Sequence, residues 1–218
     1  CAVPFMRWDV EADYVVGKAL GMQQVRFGGF MQDADLWESA FFGISQSESV
    51  LTDPQQRVML MSSYKALVNA GESLSAIKGC DRAVVIGICS TEYAAMLIKF
   101  CLPITPYTAL QSALSVASGR TSYTFGLTGP CLTVDTACSS SLVSTHFASN
   151  LVRNESSETS MAAGVNVTLI AGTYVMFQVS GMLAMDGRCK TLDQAGDGYV
   201  RADACGVVQM RAVLDDTK

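Results

Sequence analysis

The chain has 218 residues, half of them apolar and 16% charged, with a formal net charge of −5. That balance suits one or two globular domains with a substantial core and excludes a disordered polymer. The negative balance, without a Lys/Arg run, argues against a nucleic-acid surface, and no apolar stretch reaches membrane-spanning length: Ala94–Leu102 is short and contains Lys99.

The first fifty residues are rich in turn formers, with Gly28-Gly29 and both tryptophans, Trp8 and Trp37. Asp53-Pro54 then opens a helix, with Asp at the N-cap and Pro at the first helical position. Val58, Met61, Leu67 and Val68, broadened by Tyr64, are spaced to form its buried face, and Gly71 suits its C-terminal cap. Arg82–Cys89 reads as a strand covered on both faces. Thr91 caps a helix running to about Cys101, Pro103 and Pro106 mark a loop, and Gln111–Ser118 reads as a short helix ended by Gly119. Cys131–Asp135 is a strand. Ser139–Val152 is a helix with apolar positions Leu142, Val143, Phe147, Leu151 and Val152. A polar loop covers Arg153–Thr159, Met161–Ile170 is another buried strand, Gly181–Gly198 is loop, and Val207–Leu214 a final strand. Buried strands alternating with helices predict an α/β layered domain, with no repeat or low-complexity linker.

Eight cysteines stand at positions 1, 80, 89, 101, 131, 138, 189 and 205, and the chain has one histidine. No pair has CxxC spacing, so a zinc site is not expected. Their apolar contexts predict buried free thiols in a reducing, soluble compartment, cytoplasm or organelle interior rather than a secreted setting. There is no signal-peptide pattern, and a chain that opens on Cys1 reads as an internal piece or a processed product.

Cys138 is the candidate nucleophile. It lies in Val134-Asp135-Thr136-Ala137-Cys138-Ser139-Ser140-Ser141-Leu142-Val143, a thiol followed by small polar residues and then an apolar periodic stretch. The pattern predicts a strand end, a sharp turn and the first turn of a helix. Free N–H groups at a helix start favour a thiolate there, and the cysteine's own N–H can serve an oxyanion. Ala137, Ser139 and Ser140 are small enough to admit a substrate carbonyl. A thiol that merely packs in the core remains open on spacing alone.

The stretch from Gly129 to Val143 resembles the nucleophile motif of β-ketoacyl synthases, most of all the ketosynthase domains of type I polyketide synthases. Further segments match in order: Arg7-Trp8-Asp9-Val10, Gly28-Gly29-Phe30, Phe41-Phe42-Gly43-Ile44-Ser45, and Asp53-Pro54-Gln55-Gln56-Arg57. Then come Gly119-Arg120-Thr121-Ser122-Tyr123, Ala163-Gly164-Val165-Asn166, Met185-Asp186-Gly187-Arg188-Cys189-Lys190-Thr191 and Asp197-Gly198-Tyr199-Val200-Arg201. The DTACSSSL and DGRCK motifs are more similar to this carrier-protein-dependent branch than to thiolases or chalcone synthases.

The resemblance implies a thiolase-like fold, of which residues 1–218 would be the N-terminal half: a mixed sheet layered with helices, lacking the first strand and the second half. It implies that the cysteine takes an acyl group, as a thioester, from the phosphopantetheine of an acyl carrier protein. A malonyl-type extender on a carrier protein is then decarboxylated, and its carbanion attacks the thioester in a Claisen condensation. No bound cofactor or metal is implied. The family's two catalytic histidines lie in its second half. His146 is eight residues past Cys138, roughly 12 Å by helical rise, which suits packing or a hydrogen bond instead. By resemblance Cys131–Asp135 lies near a homodimer interface, and the Pro103–Tyr107 loop near the partner's pocket.

Three stretches depart from the family pattern. Leu192 stands where an aromatic residue near the acyl pocket is common, so Leu192 and Ala137 are the expected pocket residues. Ala202-Asp203-Ala204-Cys205-Gly206 replaces a Gly-Glu-Gly-Cys-Gly element, and Met185 replaces Pro. Asp53 reads as a helix cap, Arg120 as a structural salt-bridge partner and the methionines as core filler. The alternative function is a catalytically inactive, ketosynthase-derived structural subunit of a larger assembly. Either way, the missing C-terminal half or another protein would cover an exposed face.

Overall fold

The computed structural model describes residues 1–13, 18–19, 26–90, 92–101 and 105–212. In chain order the elements are α1 (Val10–Asp13), α2 (Gln46–Leu51), α3 (Pro54–Asn69), α4 (Leu74–Ile77), β1 (Arg82–Gly87), α5 (Glu92–Lys99), α6 (Pro106–Ser112) and α7 (Leu114–Phe125). They continue with β2 (Cys131–Val134), α8 (Ser140–Arg153), β3 (Thr159–Asn166), α9 (Ala171–Val179) and β4 (Ala204–Arg211). The chain divides into two compact units, Cys1–Gln32 with Val167–Asp203 and Asp33–Asn166 with Ala204–Lys218.

The larger unit is built on a mixed sheet of order β2-β1-β3-β4. β1 pairs in parallel with β2 and β3, and β3 pairs antiparallel with β4. Parallel strands need long crossovers: α5–α7 connect β1 to its neighbour β2, and α8 connects β2 to β3 on the other side of β1. β1 is the apolar centre, with Ala83, Val84, Val85 and Ile86 wholly buried. Alternate strand residues face opposite ways. Val85 and Ala162 meet Ala148 of α8. Val84, Ile86 and Met161 point to the other face, where Cys205 Sγ lies 4.0 Å from the Val58 carbonyl of α3. α7 packs on β2 and β1 and also touches α3. Each such fully buried aliphatic side chain contributes roughly 1.5–3 kcal/mol.

Asp53 Oδ1 accepts the Gln55 N–H at 2.8 Å and Pro54 opens α3, as its sequence predicts. Its end is a Schellman motif. Gly71 adopts φ +76°, its N–H donates to Val68 O at 2.9 Å, and Glu72 N–H donates to Leu67 O at 3.0 Å. The buried face differs from the predicted stripe. Residues 54–60 are buried all round, whereas Val68 is 51% exposed. The first turns of α3 are plugged into the unit's interior, so burial there follows depth along the axis rather than a face.

The helix expected over Gln111–Ser118 is instead two, α6 and α7. α7 runs through Gly119 and stops at Gly126, whose φ is +67°. Gly119 costs helix propensity but does not end the helix, while Gly126 supplies the left-handed cap. α9 has no counterpart in the predicted elements, because the strand expected to reach Ile170 stops at Asn166. β4 begins earlier than predicted, at Ala204. Thr91, Pro103, Ile104 and the 213–214 end of the last predicted strand lie outside the described residues.

The smaller unit packs Trp8, Ala171, Tyr174 and Leu183, with the Trp8 and Tyr174 rings 5.1 Å apart. Its polar hub is Asp203, whose side chain is fully buried. Oδ2 accepts from Arg7 at 2.7 Å and from Met31 N–H at 3.0 Å, and Oδ1 from Thr168 N–H at 2.8 Å. The shorter carboxylate in the departing Ala202–Gly206 element therefore ties three chain segments together.

The cysteines correct one expectation. All eight are free thiols, but none is buried: Cys80 and Cys205 are half-buried and the other six exposed. Cys89 follows the buried Ile88 yet is exposed, two residues past the end of β1.

Candidate active site

β2 runs to Val134, a 3-10 turn covers Ala137–Ser139, and α8 starts at Ser140. Cys138 lies in that turn with its side chain exposed, which disposes of the packed-thiol alternative. The turn is sharp because Ala137 adopts φ +53°, a left-handed conformation unfavourable for a residue with a Cβ. Side chains hold it there. Asp135 Oδ1 accepts the Ala137 N–H at 3.0 Å. Ser139 Oγ donates to Thr136 O at 2.8 Å. Ser140 Oγ accepts the Thr136 N–H at 2.9 Å and donates to Ala137 O at 2.7 Å.

Two glycines place this elbow on the sheet. A Cβ on Gly87 of β1 would stand 2.5 Å from the Ser140 carbonyl, and one on Gly164 of β3 2.5 Å from Ser141 Cβ. Both strands therefore let the first turn of α8 lie directly on their C-terminal ends. The buried side of α8 is correspondingly small: Ser140, Ser144, Ala148 and Val152 recur every fourth residue. Ser144 Oγ donates to Ala163 O at 2.9 Å and stitches helix to strand. Sequence reasoning missed these glycines and the serine bonds; the signals were glycine at two strand ends and the Ser139-Ser140-Ser141 run.

Of the apolar residues expected to bury α8, Val152 is buried and Leu151 packs against Val85, Ala148 and Ala162. Leu142 and Phe147 point elsewhere, 72% and 47% exposed. Leu142 borders a groove of about 330 Å³, lined also by Ser141, Thr145, Ala162, Gly164 and Val208. On β4, Ala204, Gly206 and Val208 are exposed on the same side of the sheet.

His146 is exposed, with Nε2 3.0 Å from Asn150 Nδ2, the hydrogen-bonding role its spacing predicts. Arg120 bridges Glu48 at 2.7 Å and donates to Gln56 Oε1 at 2.7 Å, tying α7 to α2 and α3. Leu192, in the smaller unit, has φ +62° and a fully exposed side chain. Among the described residues nothing hydrogen-bonds to the Cys138 sulfur.

Residues 2–215 match the family model of the β-ketoacyl synthase N-terminal domain, and the chain belongs to that family. It is 38% identical over 214 residues to a phenolphthiocerol/phthiocerol polyketide synthase of Mycobacterium tuberculosis, covering 98% of this chain and 14% of that protein. It is 38% identical to polyketide synthase GfsE of Streptomyces halstedii over 95% of this chain and 6% of that one. An oxazolomycin ketosynthase domain from Streptomyces albus superposes with a TM-score of 0.87 at 32% identity, covering 97% of this chain and 38% of that domain's chain. The module 6 ketosynthase of the Bacillus subtilis bacillaene synthase gives 0.83 at 30% identity, covering 98% and 34%. The chain thus spans a small part of the curated relatives and about a third of the ketosynthase chains it matches. Its mixed sheet and helices are those of the N-terminal half of the thiolase-like ketosynthase fold. Among the described residues no helix is long and apolar enough to cross a membrane.

Proposed function

We propose that residues 1–218 form part of the N-terminal domain of a polyketide synthase ketosynthase, and that Cys138 accepts the growing acyl chain. The observation that carries this reading is the exposed thiol on a strained strand-to-helix elbow, braced by Asp135, Ser139 and Ser140. A thiol held there attacks an acyl thioester presented on the phosphopantetheine arm of an acyl carrier protein. The Cys138 N–H supports the oxyanion that forms. Decarboxylation of a malonyl-type extender and Claisen condensation follow. His146 pairs with Asn150 and does not take part, so those steps use histidines from outside residues 1–218.

The exposed Leu142 and Phe147, with the open groove beside Leu142, fit the remaining half of the ketosynthase as the covering partner. Among the described residues β2 is an edge strand with Cys131 and Leu132 exposed, which suits strand pairing in a homodimer. Ala137 and Leu192 are proposed to border the acyl pocket. Eight thiols outside any disulfide suit a reducing compartment.

The test is acylation of the purified chain by an acyl N-acetylcysteamine thioester, mapped by peptide mass spectrometry. Cys138 is expected to acylate at least about tenfold faster than any of the other exposed cysteines. Equal rates at Cys138, Cys89 and Cys131 refute the assignment.

A further inference from the structure

The Ala137–Cys138 peptide is held from its carbonyl side. Ala137 O accepts two hydrogen bonds from one residue, from the Ser140 backbone N–H and from Ser140 Oγ at 2.7 Å. The same hydroxyl accepts from Thr136 N–H at 2.9 Å, so it bridges the turn and uses its donor and an acceptor site together. Ser140 is 5% exposed, and its backbone is pressed against Gly87. The backbone that carries the hydroxyl is thus seated on the sheet, and the hydroxyl braces the turn from there.

A trans peptide is planar, with its C=O and N–H pointing in opposite directions. A carbonyl drawn inward to Ser140 therefore turns the N–H of the same peptide, which belongs to Cys138, outward. Outward is the exposed side of the elbow, where Ala137, Cys138 and Ser139 all meet solvent. Among the described residues no acceptor takes this N–H. The left-handed φ of Ala137 produces this flip, and the bonds of Ser140 and Asp135 offset its conformational cost.

We propose that Ser140 is a positioning residue for acyl transfer: its hydroxyl orients the Ala137–Cys138 peptide so that the Cys138 N–H faces the carbonyl oxygen of an incoming acyl thioester. This rests on Cys138 being the acyl acceptor. In the step it serves, a bond forms from Cys138 Sγ to the acyl carbon and the donor's carbon–sulfur bond breaks. The bonding electron pair and the cysteine's thiol proton leave with the donor thiol. Negative charge gathers on the carbonyl oxygen in between, and that charge is what the oriented N–H meets.

The experiment compares two reactions of the same sulfur in the purified chain. Acylation by an N-acetylcysteamine thioester passes through an oxyanion, whereas alkylation by iodoacetamide does not. Ser140→Ala is expected to slow acylation of Cys138 by about tenfold or more and to leave its alkylation within about twofold, while Ser140→Thr restores acylation. Loss of both reactions together, or of neither, overturns the proposal. Single-amide hydrogen exchange reads the geometry independently of chemistry. The wild-type Cys138 N–H should exchange freely and the Thr136 N–H should be protected, with that protection lost in Ser140→Ala and kept in Ser140→Thr. A protected Cys138 N–H in a chain that still acylates removes the proposal alone. A wild-type Cys138 that alkylates but never acylates removes the nucleophile assignment and the proposal with it.

Discussion

Asp53 caps α3 from a nearly dry position, 1% exposed. Burial pushes its carboxyl from 3.8 up to about 6, against the opposing pull of hydrogen bonds from Gln55 and the charge of Arg57; the carboxylate of Glu92 adds to the rise. An acid whose native pKa is raised favours the folded state most where both states are protonated, and that advantage disappears as pH climbs through the native value. Between pH 3.8 and about 6 the chain therefore loses about 3 kcal/mol of stability. Asn keeps the capping oxygen for Gln55 N–H without the charge, and loses roughly 1 kcal/mol where its NH2 faces the Gln55 side chain. Asp53→Asn is thus expected to be slightly less stable than wild type near pH 4 and about 2 kcal/mol more stable at pH 7.5. Urea unfolding of both proteins at half-unit intervals from pH 4 to 8 measures this. A difference between them that stays flat across the range, or that moves in wild type's favour as pH rises, refutes the reasoning.

Gly87→Ala should cost about 1–3 kcal/mol in urea unfolding, because its methyl would stand 2.5 Å from the Ser140 carbonyl; it should also slow Cys138 acylation, since the elbow must lift. Asp203→Ala strips the acceptor from Arg7, Met31 N–H and Thr168 N–H. A loss of about 3–5 kcal/mol is expected, read as raised hydrogen exchange at the Met31 and Thr168 amides. The Arg82 guanidinium, bonded to Glu72 at 2.6 and 2.7 Å, holds the Glu72 carboxyl below its ordinary 4.5. That contribution is present above pH 4.5 and lost as pH falls through the lowered native value. Glu72→Gln should be less stable than wild type at neutral pH and show a shallower acid unfolding transition in circular dichroism.

Much of this was legible because it is local. Asp53-Pro54 and Gly71 bound α3 through bonds between near neighbours, so their residue types were enough. The cysteine elbow was legible for the same reason: strand, small residues and helix follow one another within a few positions. Burial was harder to read, because it depends on what lies across from a residue. Leu142 and Phe147 carry a helical apolar spacing, yet both are exposed, and Leu142 faces an open groove. Ser144 and Ala148 carry none of that signal but bury completely, because α8 sits close to a sheet with glycine at Gly87 and Gly164. α9 was missed because its β-branched and aromatic residues, Thr173, Tyr174, Val175, Phe177 and Val179, are weak helix formers and Gly172 stands in its first turn. Asp203 looked like a small loss relative to the family pattern; only the long-range partners at residues 7, 31 and 168 show what it holds.

The division of the chain bears on the order in which it can assemble. Cys1–Gln32 is synthesised before Asp33–Asn166 but packs with Val167–Asp203, which comes after it. Trp8 must therefore remain without Tyr174 and Leu183 while the whole of residues 33–166 is made. β1, β2 and β3, with the helix carrying the elbow, can pair during that interval, whereas β4 joins β3 only after the smaller unit's second segment has been synthesised. Closing so long a loop adds little to the equilibrium cost but delays the contact. The nascent chain thus forms the Cys138 elbow before Trp8 is covered, and this interval is when it most needs protection from association.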